Sequence, residues 1–273
     1  MTSVDPFGRT DTLDEGMLAA LVTRFEVRGK HPQFVNMLDE YLDAMTLDAA
    51  DSVLDMGCGT GLAARAIARR ADFSGHVVGV DLSPYLVEAA QRLAQEEGVA
   101  ERTSFRTGDV SCLDVADGAF DAVVAHTLLS HVDDAAGVIQ EVARLLKPGG
   151  RVGIFDGDYA SLTFGHADPV LGQANDEALI GAVVTNARVM RQMPRLLQAA
   201  GLELVTSFAY VLAEVGKADF WASAIEAYRR LIPKAGTMTV DEADAWGAAL
   251  HRDSERGVFF GSSNYYAYVA RRR

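Results

Sequence analysis

Short apolar runs alternate with longer amphipathic segments from about residue 50 to residue 158, and this alternation limits the folds open to the chain. Five runs have the length and apolar content of strands: SVLDM (52–56), HVVGVDL (76–82), TSFRTGD (103–109), AFDAVVAHT (119–127) and RVGIFDGD (151–158). Three intervening segments have helical patterns: 60–71, 83–97 and 135–147. Strands that alternate with helices indicate a parallel sheet with helices on both faces and right-handed crossovers. We therefore predict an α/β protein with a Rossmann-like, doubly wound sheet.

The remaining sequence is less regular and is predicted to flank that sheet. Helical patterns occupy 10–46, the later part of 160–187, 193–201, 218–231 and 239–253, and strand patterns occupy 202–215 and 257–272. No linker divides the chain, so we predict one domain. Its parts are an N-terminal helical cap (1–46), a core (47–159), helical insertions (160–195 and 217–253) and a final strand (257–272).

The charge of the chain bears on its partners. The formal net charge is −13 at pH 7. This charge disfavours binding to the phosphates of nucleic acid, because such binding needs a cationic face. Cys58 and Cys112 lack a CxxC partner and are expected to be free thiols. The first residues lack the pattern of a signal peptide, and no apolar run reaches the roughly 20 residues of a membrane span. We expect a cytoplasmic protein with no membrane span.

The stretch VLDMGCGTG, residues 53–61, follows the first predicted strand. Its glycines, Gly57, Gly59 and Gly61, would let a ligand approach the backbone closely. Asp55 narrows the choice of ligand, because a carboxylate near this turn would repel a diphosphate by several kcal/mol, as an order of magnitude. The glycine spacing also departs from G-x-G-x-x-G. An acid here favours a ligand that carries positive charge and no phosphate.

Two further acids follow the next strands. Asp81 ends the second strand, where an acid can hydrogen-bond both hydroxyls of a ribose. Asp109 ends the third strand, within reach of an adenine amino group, and Val110 could pack against the ring. The ligand that suits all three acids is an adenosine with a cationic amino-acid tail, S-adenosylmethionine, whose product after methyl transfer is S-adenosylhomocysteine.

The motifs VLDMGCGTG, VVGVDLSP, TGDVSCLDVADGAFDAVVAHTLLSHVDD and LLKPGGRVGIFD resemble those of the class I S-adenosylmethionine-dependent methyltransferases. The nearest branch is the ubiquinone/menaquinone-biosynthesis-type small-molecule enzymes, and the resemblance covers residues 50–157. It implies a seven-stranded sheet whose last strand is antiparallel. It also implies that Asp55 and Gly57 lie near the amino-acid part of the cofactor, Asp81 at the ribose and Asp109 at the adenine. Thr127, or its neighbour His126, would line the methionine side.

The expected cofactor-binding set combines these positions with their neighbours in the motifs. Arg28, in RFEVRGKH, could close over the cofactor carboxylate or meet an anionic acceptor, although a solvated face is the simpler interpretation of this stretch. Cys58 is expected to fill space rather than react. The full set is Asp55, Gly57, Cys58, Gly59, Thr60, Gly61, Asp81, Leu82, Ser83, Gly108, Asp109, Val110, His126, Thr127 and Arg28.

Candidate catalytic residues cluster after the fourth and fifth strands. His126 and His131 are candidates in HTLLSHVDD, where packing is the alternative role. Asp156 and Asp158 lie two apart on a strand and so share one face. Either acid could orient or deprotonate an acceptor, or could instead cap a loop. Their spacing makes a weak metal-ligand set, so no metal is predicted.

The predicted function is S-adenosylmethionine-dependent methyl transfer to the oxygen, nitrogen or carbon of a small or mid-sized organic acceptor. Transfer from a sulfonium is an in-line displacement in which positioning and water exclusion supply most of the rate. A catalytically silent binding protein of the same fold and a nicotinamide-dependent oxidoreductase are the alternatives. The expected partners are a small-molecule acceptor and no nucleic acid, and a homodimer is the oligomer considered.

Overall fold

A computed structural model describes residues 5–273, so the first four residues of the predicted N-terminal cap lie outside the described residues. It contains one seven-stranded sheet in the order β3-β2-β1-β4-β5-β7-β6. The strands are β1 (Ser52–Met56), β2 (His76–Asp81), β3 (Thr103–Thr107), β4 (Phe120–His126), β5 (Leu146–Phe164), β6 (Leu202–Gly216) and β7 (Phe259–Arg272). Strand β7 pairs antiparallel with both β5 and β6, whereas the pairs among β1 to β5 in this described sheet are parallel. The predicted Rossmann-like sheet with an antiparallel last strand is confirmed.

Nine α-helices of the described residues pack around the sheet. They are α1 (Glu15–Gly29), α2 (Pro32–Met45), α3 (Leu62–Ala68), α4 (Pro84–Glu96), α5 (Ala135–Leu145), α6 (Pro169–Val183), α7 (Val189–Ala199), α8 (Phe220–Ala235) and α9 (Val240–Glu255). Helices α2, α3 and α4 bury apolar side chains on one face of the sheet, where α6, α8 and α9 join the same cluster. Helices α5 and α7 cover the other face. The sheet therefore separates two apolar layers, as the strand–helix alternation predicts.

Local sequence signals set the starts of several helices. Ser83 accepts a hydrogen bond from the Leu86 amide, and Pro84 occupies the first turn of α4. Asp134 caps α5 through the Gly137 amide. Thr239 begins α9 as part of a capping box. These short-range signals explain why the helix starts are close to their predicted positions.

The fifth strand is longer than the sequence pattern indicates. It was expected at 151–158, yet β5 extends from Leu146 to Phe164. The extension pairs Leu146 with Phe120 of β4 at one end. At the other end it pairs with β7 across an irregularity between Asp158 and Thr163. Residues 160–164 were expected to begin a loop before the helical part of 160–187, and this prediction is wrong. They form a strand because they pair with β7, which is distant in the sequence.

The parallel strands bring their carboxyl ends to one edge of the sheet, and the ends of β1, β2 and β4 carry Asp55, Asp81 and His126. Ligands of open α/β sheets bind at this edge. None of the helices in residues 5–273 combines the length and apolar character that a membrane crossing requires.

Candidate functional site

The glycine turn that follows β1 adopts a backbone that needs glycine. Gly57 and Gly61 have φ angles of 66° and 76°, in the left-handed region. A Cβ atom on Gly57 would lie 2.6 Å from Leu128 Cδ1, and one on Gly61 would lie 2.6 Å from Phe105 Cε1. The Cys58 amide donates to the Val80 carbonyl at 2.9 Å, which fixes the turn against β2. The turn therefore exposes bare backbone beside a cavity.

Asp55 lies beneath this turn and is 1% exposed. Its Oδ2 accepts a hydrogen bond from the Ala64 amide at 3.0 Å, whereas its buried Oδ1 has no partner within residues 5–273. Burial raises the pKa of Asp55 to about 7, and the negative charge of Asp81 contributes to this rise. The hydrogen bond from the Ala64 amide lowers the pKa and offsets part of the rise. Since Asp55 also lines the cavity, its spare oxygen is available to a cationic hydrogen-bond donor.

Asp81, at the end of β2, orders the same turn. Its Oδ2 accepts from the Gly59 amide at 2.8 Å, and its Oδ1 accepts from the Ser83 amide at 3.0 Å. Thr10 adds a side-chain hydrogen bond from the N-terminal segment, and burial raises the pKa of Asp81. Each carboxylate oxygen can accept more than one hydrogen bond, so Asp81 keeps acceptor capacity for a ligand.

These acids line one cavity of about 340 Å³, a volume in the range of small-ligand sites. Twelve of the predicted cofactor residues line it: Asp55, Gly57, Cys58, Gly59, Thr60, Asp81, Leu82, Asp109, Val110, His126, Thr127 and Arg28. The other three, Gly61, Ser83 and Gly108, do not line it. Ser83 and Gly108 instead hold the backbone around Asp81 through their amides.

His126 is the last residue of β4 and lines the cavity. Its Nδ1 lies 3.1 Å from the Tyr41 hydroxyl, and its buried Nε2 has no partner within the described chain. Burial, with the nearby charge of Arg28, lowers the pKa of His126 to about 3. The imidazole is therefore neutral near pH 7 and adds no positive charge to the cavity.

Thr127 follows His126 in an unusual backbone conformation. Its φ angle is 57°, a region that is strained for a β-branched residue, at about 1 to 3 kcal/mol. Its amide donates to the Phe155 carbonyl at 2.6 Å, and its hydroxyl accepts from Arg28 Nη2 at 3.0 Å. The strained turn thus places a hydroxyl on the cavity wall and links β4 to α1.

Helix α1 is fastened to the glycine turn by a buried ionic network. Glu26 accepts hydrogen bonds from the Thr60 hydroxyl at 2.8 Å and from Arg65 Nη2 at 2.6 Å. Arg65, 1% exposed, also pairs with Glu97 after α4. The network positions α1, whose Arg24, Phe25 and Arg28 face the cavity.

The segment 5–13 forms part of the cavity wall through Phe7, Gly8, Arg9 and Thr10. Asp5 anchors the segment, since its Oδ2 accepts from the Thr185 amide and hydroxyl, each at 3.1 Å, and lies 2.8 Å from His131 Nδ1. Burial by itself lowers the pKa of His131, but the charge and hydrogen bond of Asp5 raise it above the usual value. His131 lines the cavity and also anchors segment 5–13 through its contact with Asp5.

Asp156 and Asp158 are not among the residues that line the cavity, and their catalytic role stays a prediction. Asp156 accepts from the Ser130 amide and hydroxyl at 2.9 and 3.0 Å. Asp158 pairs with Arg191 of α7 through contacts of 2.7 to 3.0 Å. Both project to one face, as predicted, but it is the face covered by α5 and α7. Both carboxylates therefore already have hydrogen-bond or ionic partners within the described residues.

Sequence reasoning missed part of the site. It left out Asp5, Thr10 and Thr185, because nothing in their local sequence distinguishes them from surface residues. The predicted insertions do contribute, through Thr185 and through Ala227 and Tyr228 of α8. Within residues 5–273, no cluster of three His, Cys, Asp or Glu side chains is arranged to hold a metal ion.

Comparisons with known proteins agree with this geometry. A family model described as a methyltransferase domain matches residues 53–150. Sterol 24-C-methyltransferase of Aspergillus fumigatus is 41% identical over 104 residues, 38% of this chain and 27% of that enzyme. Methyltransferase GfsG of Streptomyces halstedii is 29% identical over 214 residues, 77% of this chain and 73% of that protein.

A solved structure shares the fold. Geranyl diphosphate C-methyltransferase from Streptomyces coelicolor, in complex with Mg²⁺, geranyl diphosphate and S-adenosyl-L-homocysteine, superposes with a TM-score of 0.53 at 20% identity. The match covers 88% of this chain and 79% of that one. The chain spans less than half the length of the fungal enzyme and of several other curated relatives. The matched residues 53–150 carry the glycine turn and its acids, and this part of the chain is a methyltransferase domain within a sheet of the class I methyltransferase fold.

Proposed function

We propose that this protein transfers a methyl group from S-adenosylmethionine to a small or mid-sized organic acceptor. The observation that carries the proposal is Asp55, which lines the cavity beside a bare glycine turn and has a buried oxygen without a hydrogen-bond partner in residues 5–273. A buried acceptor oxygen with no partner is costly, at roughly 1 to 3 kcal/mol. A cationic donor removes that penalty, whereas the diphosphate of a nicotinamide cofactor would be repelled.

The remaining cavity residues fit the other parts of this cofactor. Asp55 would hold its ammonium group, and Arg28 beside Thr127 would hold its carboxylate. Asp81 would accept from the ribose hydroxyls, and Asp109 with Val110 would border the adenine. When bound, the cofactor supplies an electrophilic methyl group on a positively charged sulfur.

The chain's own contribution is positioning and water exclusion. Phe7, Phe25 and Leu128 give the cavity apolar walls, and segment 5–13 forms one side of it. Neutral His126 can donate or accept a hydrogen bond without repelling a positive sulfur. Tyr159 and Tyr228 line the same cavity and would contact the acceptor. The cavity suits an organic molecule of modest size better than a macromolecule.

Calorimetric titration tests the proposal, with S-adenosylmethionine, S-adenosylhomocysteine and NADH as ligands. Binding of the first two at micromolar concentration, without binding of NADH, is the expected result. A second arm measures S-adenosylhomocysteine formed in the presence of a panel of organic acceptors. Binding without turnover across the panel would favour the silent binding protein, and binding of NADH alone would favour the oxidoreductase.

Replacing Asp81 with alanine is expected to weaken S-adenosylmethionine binding by about tenfold or more, because two charge-assisted hydrogen bonds to the ribose are lost. Titration calorimetry measures the change. Glu88→Ala, an exposed acid on α4, is the charge-matched control and should bind normally. Normal affinity in a folded Asp81→Ala variant would remove Asp81 from the ribose site.

A further inference from the structure

Two arginines on the cavity wall lack acidic partners among residues 5–273. Arg24 and Arg28 lie four apart on α1 and therefore face the same side of the helix. Neither forms an ion pair with a carboxylate of residues 5–273, although the chain carries 38 acidic residues. The Nε of Arg28 is buried and has no hydrogen-bond partner in that range. A desolvated guanidinium without an acid indicates a site for an external anion.

The two guanidinium groups have different surroundings. Arg28 contacts Thr127 at the end of β4 and lies over the rings of Phe25 and Phe34, each at 5.4 Å. Its position beside the glycine turn suits the single carboxylate of the proposed cofactor.

Arg24 lies one helical turn away and faces α8. Its Nη1 donates to the Ser223 hydroxyl at 2.9 Å, and its guanidinium carbon lies 5.0 Å from the centre of the Phe220 ring. Tyr228, which also lines the cavity, interacts with the same guanidinium. None of these contacts supplies a negative charge.

The charges of the proposed complex leave Arg24 unmatched. Asp55 would pair with the ammonium group of the cofactor and Arg28 with its carboxylate. Asp81 and Asp109, which line the same cavity, would hold the ribose and the adenine, so no carboxylate of the described chain pairs directly with Arg24. The positive sulfur and Arg24 repel each other more strongly where water is excluded. An anion between α1 and α8 would offset both.

We infer that the acceptor carries an oxyanion, a carboxylate or a phosphate, and that Arg24 binds it with help from Tyr228. The inference rests on the proposed function and names the acceptor class of the same site. Guanidinium groups bind carboxylates and phosphates through paired N–H donors, so the two chemistries share one recognition mode. The oxyanion serves recognition, and the methylated atom lies elsewhere on the acceptor.

The test uses full-length protein saturated with S-adenosylhomocysteine at fixed ionic strength. Calorimetry compares aliphatic and aromatic monocarboxylates with their primary amides, and phosphate monoesters with the parent alcohols. We expect at least one oxyanion to bind about tenfold or more tightly than its neutral counterpart, as charge-assisted hydrogen bonds typically give. The acid and phosphate arms show which oxyanion the site prefers.

Variants at position 24 separate recognition from packing. Arg24→Gln is expected to abolish the preference for the oxyanion, whereas Arg24→Lys, which keeps the charge, should retain part of it. A purely structural role would weaken acids and amides alike in both variants. Arg92→Gln, an exposed arginine on α4, controls for the change in net charge and should behave as wild type.

Two outcomes overturn the inference. One is a panel in which no oxyanion binds more tightly than its neutral counterpart, including a panel in which nothing binds. The other is an Arg24→Gln variant that keeps the preference. Failure of the proposed function has different signatures: the wild-type protein would either not bind S-adenosylhomocysteine or, as a silent binding protein, would bind S-adenosylmethionine without methyl transfer to any acceptor.

Discussion

Asp55→Asn is expected to weaken S-adenosylmethionine binding by about a hundredfold near pH 7.5, equivalent to about 3 kcal/mol. The variant keeps the size of the side chain but loses the charge that would pair with the ammonium group. It also places an amide N–H group at the position of Asp55 Oδ1, which has no hydrogen-bond partner in residues 5–273. An N–H donor would then face the ammonium group of the ligand. Titration calorimetry on folded protein measures the loss.

The same residue predicts an unusual dependence of binding on pH. The pKa of Asp55 is raised to about 7 in the free protein, and the ammonium group pairs only with its ionised form. Affinity should therefore rise by up to about tenfold per pH unit from pH 5.5 towards 7 and then level off. It should fall again where the ligand's amino group, with a usual pKa near 8, loses its proton.

Stability of the ligand-free protein should change in the opposite direction. The folded pKa of Asp55 lies above its unfolded value, so the folded state binds more protons between about pH 4 and 7. This contribution is present below the unfolded pKa and is lost as pH rises through the folded pKa. Comparing the pH dependence of stability in wild type and in Asp55→Asn separates the contribution of Asp55 from that of Asp81, whose pKa is raised too.

For the binding experiment, identical pH profiles of affinity in the two proteins would contradict the assignment of Asp55 to the ammonium group.

Arg65→Ala is expected to lower the free energy of unfolding by roughly 3 to 5 kcal/mol, the range for breaking a buried ion pair. Arg65 is 1% exposed and pairs with Glu26 and Glu97, so its loss leaves two carboxylates poorly compensated. Glu26 also holds Thr60 in the glycine turn, and the damage should extend to the cofactor site. Urea unfolding measures the change in stability.

Arg69→Ala is the matched control for Arg65. Arg69 also pairs with Glu97, but it is 48% exposed, and exposed pairs contribute about 0 to 1 kcal/mol. Arg65→Met keeps much of the packing volume and should fall between the two. Equal, small effects of Arg65→Ala and Arg69→Ala would show that the network does not hold α1 to the turn.

Much of the sheet could be predicted because its signals are local. The apolar runs, Ser83-Pro84 before α4 and the glycines after β1 each act within a few residues. Together they predict which segments form strands and how these alternate with helices along the chain. The carboxyl ends of parallel strands must meet at one edge, so Asp55, Asp81 and His126 could be placed together without knowing any side-chain contact.

The contacts that could not be predicted join distant parts of the chain. Asp158 has the right type and position for a catalytic acid, yet its partner Arg191 lies 33 residues away on a helix whose packing no local pattern reveals. Asp5 reaches His131 across 126 residues for the same reason. The length of β5 depends on β7 in the same way. Local sequence identifies candidates, but long-range packing decides which of them face the cavity.

The position of segment 5–13 has a kinetic consequence. We expect a ligand the size of the proposed cofactor to displace this segment when it enters and when it leaves, because Phe7, Gly8, Arg9 and Thr10 form part of the cavity wall. A segment that must move for both steps slows association and dissociation by the same factor, so the dissociation constant is unchanged while the residence time grows. The demethylated product would be retained as long as its precursor. Product release, rather than methyl transfer, would then set the turnover number.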